Sequence, residues 1–180
     1  MATGAGFRPV RWFVTMERSL DEPLARLPLP AGVRLARWSE ELDGDVLDAY
    51  NDAFLDHFGF EPISLVAWRH RVPDKPGFLP GASVLALEGS RVVGFVLCNL
   101  FDGSSATPSA WLDLIGVREG WRKRGLASAL ILEAMVALRE AGHARVWLGV
   151  DADNSTGAVS VYARQGFRTS RREVMYAKDL

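Results

Sequence analysis

Apolar residues recur with two periods along this chain, and the switches between them mark its elements. Residues 11–15 read as a short strand. Pro23, Pro28 and Pro30 then interrupt regular structure, which makes residues 21–32 a linker. Val33-Arg34-Leu35-Ala36-Arg37 alternates apolar and polar, as a half-buried strand does. Asp43-Gly44-Asp45 opens a helix whose Val46, Tyr50, Ala53, Phe54 and His57 share one face, predicting a helix to about residue 58. A second helix is expected over residues 64–72. Residues 83–87 and 91–100 form a hairpin across Gly89-Ser90, and after a polar loop residues 110–117 form a third strand. From Arg122 the period returns to helical, with Ala127, Leu130, Ile131, Ala134, Met135 and Leu138 as the stripe and Gly142 as its stop. Residues 144–150 read as a strand, 156–164 as a short helix, and 166 onward as a final strand pair. From residue 33 the order is βααβββαβαββ, an α+β plan with a mixed, mainly antiparallel sheet.

One repeat crosses this plan. Gly6-Phe7-Arg8 recurs as Gly166-Phe167-Arg168, and the same offset of 160 aligns Arg11 with Arg171, Val14 with Val174 and Leu20 with Leu180. Residues 1–32 are therefore expected to be an N-terminal extension, its strand-like part, 6–20, being the closing strands of a preceding copy of the domain. The domain itself is expected over residues 33–180. A stray strand pair of this kind is expected to pack on a sheet edge, within the chain or across a homodimer.

Composition narrows the function classes. Hydrophobic residues make up 48% and charged residues 24%, which excludes wholesale disorder. Lys+Arg 21 against Asp+Glu 22 leaves a net charge of -1, so no global basic field points to a nucleic-acid partner. The longest apolar stretch, residues 92–97, is too short to cross a bilayer, and residues 1–6 lack an apolar signal core. A cytoplasmic protein without membrane contact is expected. Cys98 is the only cysteine, which leaves no intrachain disulfide. His57, His70 and His143 lack ligand spacing, so no metal site is expected. Cys98, among apolar neighbours, reads as core.

The chemistry concentrates where the strand over 110–117 runs into the following helix. Arg122, Lys123 and Arg124 precede Gly125, and Leu126, Ala127 and Ser128 follow. Amides at a helix start have no intrahelical partner and carry the positive end of the dipole, so the turn can cradle an anion such as a pyrophosphate. Three cations at a helix N-terminus oppose that dipole, a cost that a bound anion would offset. Neither a P-loop pattern nor a dinucleotide-binding glycine fingerprint is present.

Arg122-x-x-Gly125-x-Ala127 after an apolar strand resembles the acyl-CoA-binding motif of the GNAT superfamily of N-acetyltransferases: Gln or Arg, two free positions, Gly, one free position, then Gly or Ala. Downstream, Asn154, Ala158, Tyr162 and Gly166-Phe167 resemble a second run of the superfamily, with Asn154 and Tyr162 eight positions apart, one more than is common there. The resemblance covers about residues 33–180. It implies a sheet whose fourth and fifth strands splay into a V that admits the pantetheine arm of acetyl-CoA beside Ile115 and Val117. The pyrophosphate would lie on the amides of residues 122–127 and Ser128, with Asn154 nearby. It also implies direct acetyl transfer to a primary amine in a ternary complex, with no metal and no nucleophilic side chain. Tyr162 would be the general acid, or else a buried aromatic with a satisfied hydroxyl.

Asp113 is the candidate base, or else the structural partner of a cation or amide. It shares strand parity with Trp111, Ile115 and Val117, which would turn all four side chains to one face. Residues 45–72, where His57, Phe58, Phe60, Glu61, Trp68, Arg69 and His70 crowd, fall where relatives build the acceptor wall. His57 reads first as a core histidine, and Phe58 and Trp68 as packing. Together with the repeat, these features resemble the second half of a tandem GNAT protein of the mycothiol synthase-like group. The acceptor is expected to be a small-molecule amine. The rival readings are an acyl-CoA-binding or dimerisation module without turnover, and a protein or peptide N-acetyltransferase.

Overall fold

Strand alternation and helix periodicity both find their elements in the computed structural model, which describes residues 7–101, 107–153 and 157–178. Its strands are β1 (Phe7–Ser19), β2 (Val33–Arg37), β3 (Val84–Glu88), β4 (Arg91–Leu100), β5 (Ser109–Val117), β6 (Arg145–Asp151) and β7 (Arg168–Lys178). Its helices are α1 (Asp43–Ala53), α2 (Leu65–Arg71), α3 (Leu126–Glu140) and α4 (Ala158–Arg164). Two compact units emerge. One holds residues 19–146; the other joins the chain up to residue 18 to the chain from residue 147 on.

In the first unit the strands lie in the order β2-β3-β4-β5, each antiparallel to its neighbour. The β3–β4 hairpin turns at Gly89 and Ser90, where Gly89 takes a φ of 60°, as a tight hairpin of this length requires. α1 and α2 cover one face. Val46, Ala49, Tyr50 and Ala53 of α1 and Trp68 of α2 pack there with Leu85, Leu87, Phe95 and Leu97 of the sheet. α1 ends at Ala53, five residues short of the expected end. Phe54 caps it with a last bond to the Tyr50 carbonyl, and His57 and Phe60 then close three-residue turns onto Phe54 and His57 instead of continuing the helix. Trp68 is fully buried, its Nε1 donating to Asp43 Oδ1 at 2.6 Å, so it is a packing residue.

α3 lies on the opposite face. Gly94 of β4 sits beneath it with Leu126 and Leu130. Gly116 of β5 faces the other way, and a Cβ there would penetrate the fully buried Phe95 ring. Gly116→Ala is expected to cost about 1–3 kcal/mol of stability, because neither the ring nor the backbone can yield in a filled core. A denaturant titration with unchanged m-value checks it, and an unchanged midpoint would mean that the ring has room to move.

In the second unit the order is β6-β1-β7. The expected strand pair after residue 166 is one strand of 11 residues, β7, whose partner is β1. β1 itself spans 13 residues, not five. It lies inside this run, with a neighbour on each side, and not on an edge as expected. Val14, Met16 and Arg18 alternate along its buried face, and an Arg18 guanidinium nitrogen donates to the Gln165 carbonyl. Arg11 pairs with Asp151 of β6 at 2.7 Å, and the Ala152 amide donates to the Trp12 carbonyl. The two repeated segments thus pair with each other, antiparallel, and Phe13 lies opposite Glu173, its own equivalent in the repeat. That register is a local two-fold relation between equivalent strands.

Candidate functional site

The helix after β5 begins later than periodicity suggested. A 3₁₀ turn over Glu119–Trp121 intervenes, and α3 starts at Leu126 with Gly125 as its N-cap. Gly125 is left-handed (φ 77°) and no side chain caps the helix. A Cβ at Gly125 would meet nothing within 4 Å, so the space before the first turn is open. Its first amides, on Leu126, Ala127 and Ser128, precede the first i→i−4 bond of the helix, from Ala129 to the Gly125 carbonyl. Lys123 is also left-handed (φ 60°), the one non-glycine residue so placed among those described. That conformation costs about 1 kcal/mol for a side-chain-bearing residue and commonly marks a functional turn.

The three cations of this turn are differently placed. Lys123 and Arg124 are exposed, Arg124 lying over the Trp121 ring at 4.8 Å. Arg122 points inward. Its guanidinium donates to Asp56 at 2.8 Å, to the Ala53 carbonyl at 2.9 Å and to the Val117 carbonyl at 3.2 Å. Its main chain is therefore what this position leaves for an anion, while its side chain ties the turn to the end of α1. Arg118 makes a parallel tie. It is buried, and donates to the Val92 carbonyl and to Asp48 and Asp52, each carboxylate at 2.6 Å. Asp48 and Asp52 stand four residues apart on one face of α1, and Asp56 follows just past its end, so α1 and the turn after it hold the strand-to-helix turn in place.

Asp113 departs from the expected parity. The β4–β5 register slips by one residue between Leu97 and Cys98, leaving Leu97 opposite Leu114 but Cys98 opposite Leu112. Asp113 is the extra residue of a β-bulge. Beyond it, Val117 pairs with Gly94 beneath α3, and Ile115 shares that face by alternation. Leu114 packs with the α1 cluster instead. Asp113 Oδ2 accepts from Asn99 Nδ2 at 2.8 Å, and Asn99 follows Phe95 and Leu97 on the α1 face. So the bulge separates Asp113 from Ile115 and Val117. Lys75 Nζ lies 3.5 Å from the same carboxylate oxygen, and Asn99 is buried with its Oδ1 unpaired. The surroundings of Asp113 are polar, not the apolar setting that the sequence suggested.

Tyr162 lies in the second unit, on α4. It is 8% exposed, and its ring meets Phe167 edge-on at 6.1 Å. Burial pushes its phenol up to about 12, so the hydroxyl keeps its proton far beyond neutral pH. Asn154 lies outside the described residues. Cys98 is fully buried, and desolvation raises its thiol well above the usual range, which disfavours the thiolate a nucleophile needs.

The family model for the acetyltransferase (GNAT) family matches residues 44–167, which takes in α1, the bulged strand, the turn at Gly125 and Tyr162. The chain belongs to that family. A mycothiol acetyltransferase of Catenulispora acidiphila is 31% identical over 180 residues, 98% of this chain and 56% of that protein. A solved GCN5-related N-acetyltransferase from Sphaerobacter thermophilus superposes with a TM-score of 0.81 at 30% identity, over 97% of this chain and 53% of that one. A tandem GNAT protein from the clavulanic acid biosynthesis pathway shares the fold, at a TM-score of 0.71 and 17% identity, over 97% of this chain and 56% of its own. The chain thus spans about half the length of the curated relatives it matches. The fold is the α+β fold of the GNAT family.

Within this GNAT chain, the α1 face of the first unit also holds a pocket of about 380 Å³. Tyr50, almost fully buried, lines it with Phe54 and Phe60, whose ring centroids lie 4.8 Å and 5.3 Å from its own. His57 stacks on Phe54 at 4.4 Å and lines the pocket, so it is more than the core histidine first expected. Phe58 stands at the rim, 63% exposed, and Leu114, the residue after the bulge, is in the wall. Glu61 and Arg71 supply its charges. Tyr50, Phe54, Arg71 and Leu114 were not legible as site residues. The usable signal was the spacing of Tyr50, Phe54 and His57 on one helical face, which read as core. Among the described residues no helix is long and apolar enough to cross a membrane, and no group of three or more His, Cys, Asp or Glu is placed to hold a metal.

Proposed function

We propose that this chain moves the acetyl group of acetyl-CoA to the primary amine of a small-molecule acceptor, directly, within a ternary complex. The observation that carries the reading is the uncapped, left-handed Gly125 at the head of α3, with open space where a side chain would stand. There the amides of Leu126, Ala127 and Ser128 would receive the pyrophosphate oxygens, with Lys123 and Arg124 adding charge. Main-chain groups of Ile115 and Val117 would bond the pantetheine arm as an added strand does. Asn154 is proposed to complete the cosubstrate contacts. Acetyl-CoA supplies an activated acyl carbon. The amine nitrogen bonds to that carbon as the carbon–sulfur bond breaks, one proton leaving the nitrogen and one reaching the sulfur. Asp113, on the same sheet face as the aromatic pocket, is the proposed acceptor of the first proton, directly or through water. Tyr162 is the proposed donor toward the sulfur.

The repeat adds an organisational reading. Equivalent strands paired about a local two-fold, Phe13 against Glu173, are what two copies of one domain would place at their junction, and we read residues 6–20 as the closing segment of a preceding copy.

Calorimetric titration with acetyl-CoA, beside 3′-dephospho-acetyl-CoA, tests the cosubstrate, and thiol release from a panel of amines tests the transfer. Gly125→Glu is expected to weaken acetyl-CoA binding by at least about 100-fold, because it places bulk and negative charge where the pyrophosphate would sit. Gly125→Ala carries only the left-handed strain, so it is expected to keep most of the affinity while losing about 1–2 kcal/mol of stability. Normal binding by the Glu variant would place the cradle elsewhere.

A further inference from the structure

The aromatic pocket on the α1 face has a chemistry of its own. Tyr50, Phe54, Phe58 and Phe60 present ring faces and edges, His57 lies against Phe54, and one carboxylate, Glu61, and one guanidinium, Arg71, stand among them. The Arg71 charge is felt at Tyr50, where it offsets part of the burial that raises the phenol. Pockets of about this volume are of a size to take small organic ligands.

Three classes of amine can be weighed against that lining. A hydroxyl-rich amino sugar could exchange hydrogen bonds to water for those of Glu61 and Arg71, but it would leave the four aromatic rings without a matching face. A polyamine would need more than one anionic partner, whereas Glu61 is the single carboxylate of the lining and Arg71 repels a second cation. An amine with a flat ring fits both features. Ring stacking and edge contacts favour an arene among four aromatic side chains. Its ammonium, the form that dominates near neutral pH, is drawn by Glu61. Phe58, largely exposed in the chain, would then lose water-facing apolar surface against the ligand's ring.

Resting on the transferase reading above, we propose that the acceptor is a primary amine carrying an aromatic ring, of the arylalkylamine class. Tyr50, Phe54 and Phe60 hold the ring, Phe58 closes over it, and Glu61 selects the cation. Leu114, in the pocket wall, follows the bulge residue Asp113 on the same strand.

The test measures binding before turnover. The full chain is titrated calorimetrically with 2-phenylethylamine, D-glucosamine, spermidine and a Met-Leu-Gly tripeptide, with and without CoA, and each amine is then assayed for its acetylated product by mass. 2-Phenylethylamine is expected to bind at least about tenfold more tightly than the other three. Phe58→Ala is expected to lower its affinity about tenfold, and Glu61→Gln about threefold, with melting temperatures unchanged because both side chains are exposed. Equal or tighter binding by the sugar, the polyamine or the peptide overturns the proposal, as does no detectable binding of 2-phenylethylamine at millimolar concentration. Affinity untouched by both variants overturns it too. Ring-selective binding without any acetylated product would leave the pocket chemistry standing and sink the transferase reading, so the two fail separately.

Discussion

Tyr162→Phe is expected to lower turnover by about 100-fold while leaving acetyl-CoA affinity within about twofold of the parent. The size follows from the environment of the phenol. Burial holds it at about 12, so it is fully protonated at working pH. A thiolate leaving group of ordinary basicity titrates near 8.5, so complete proton transfer from this phenol is uphill by about 3.5 pH units. In the proposed role the favourable contribution would therefore be a hydrogen bond donated to the sulfur as charge builds on it. One such donor is typically worth about 100- to 1,000-fold in rate. Single-turnover rates with saturating acetyl-CoA are the measurement, and an unchanged rate would make Tyr162 a packing residue against Phe167.

The same phenol gives a stability signature. The unfolded chain releases the tyrosine proton near pH 10, whereas the folded chain keeps it to about 12. Below pH 10 both states are protonated and the contribution is intact. As pH rises from 10 toward 12 the unfolded state alone ionises, and stability falls by up to ~3 kcal/mol. Cys98 and Tyr50 are shifted in the same direction, so the parent loses stability over the alkaline range for several reasons. The difference between parent and Tyr162→Phe across pH 10 to 12 isolates the one group.

How much of this was legible in the chain depended on how local each feature is. The β3–β4 hairpin was, because a glycine turn between two apolar runs encodes its own geometry. The turn at Gly125 was too, since the glycine, the cations and the following helix are contiguous. The bulge at Asp113 was not. An extra residue in a strand is defined by what its partner strand does, and β4 carries no mark of the slip between Leu97 and Cys98. The inward turn of Arg122 was equally hidden, because its anchor Asp56 is 66 positions away. Tyr50, Phe54 and His57 showed their common face, but whether such a face meets core or a cavity depends on how α1 lies over the sheet. For β1 the sequence showed a strand and a repeat, while its place between β6 and β7 is a property of pairing alone.

Removing residues 1–20 is expected to abolish the cooperative fold of the second unit. β1 has a strand on each side, so its deletion strips ladder hydrogen bonds from both β6 and β7. It also removes the buried Val14 and Met16, each worth about 1.5–3 kcal/mol of apolar burial, and the Arg18 donor to the Gln165 carbonyl. Against a total stability of order 5–15 kcal/mol, that loss is not survivable for a unit with three strands and one short helix. Tyr162 would then sit in a disordered segment, and turnover would vanish with it. Hydrogen exchange is the direct readout, with amides of β6, α4 and β7 losing protection while those of β3 and β4 keep theirs. A synthetic peptide of residues 7–20 added in trans should restore both protection and activity, since the gap it fills is a strand-shaped slot with donors and acceptors on either side. A truncated chain that stays folded, protected and active would mean that β7 can pair directly with β6. In that case the N-terminal strand is an addition to the domain and not a part of it.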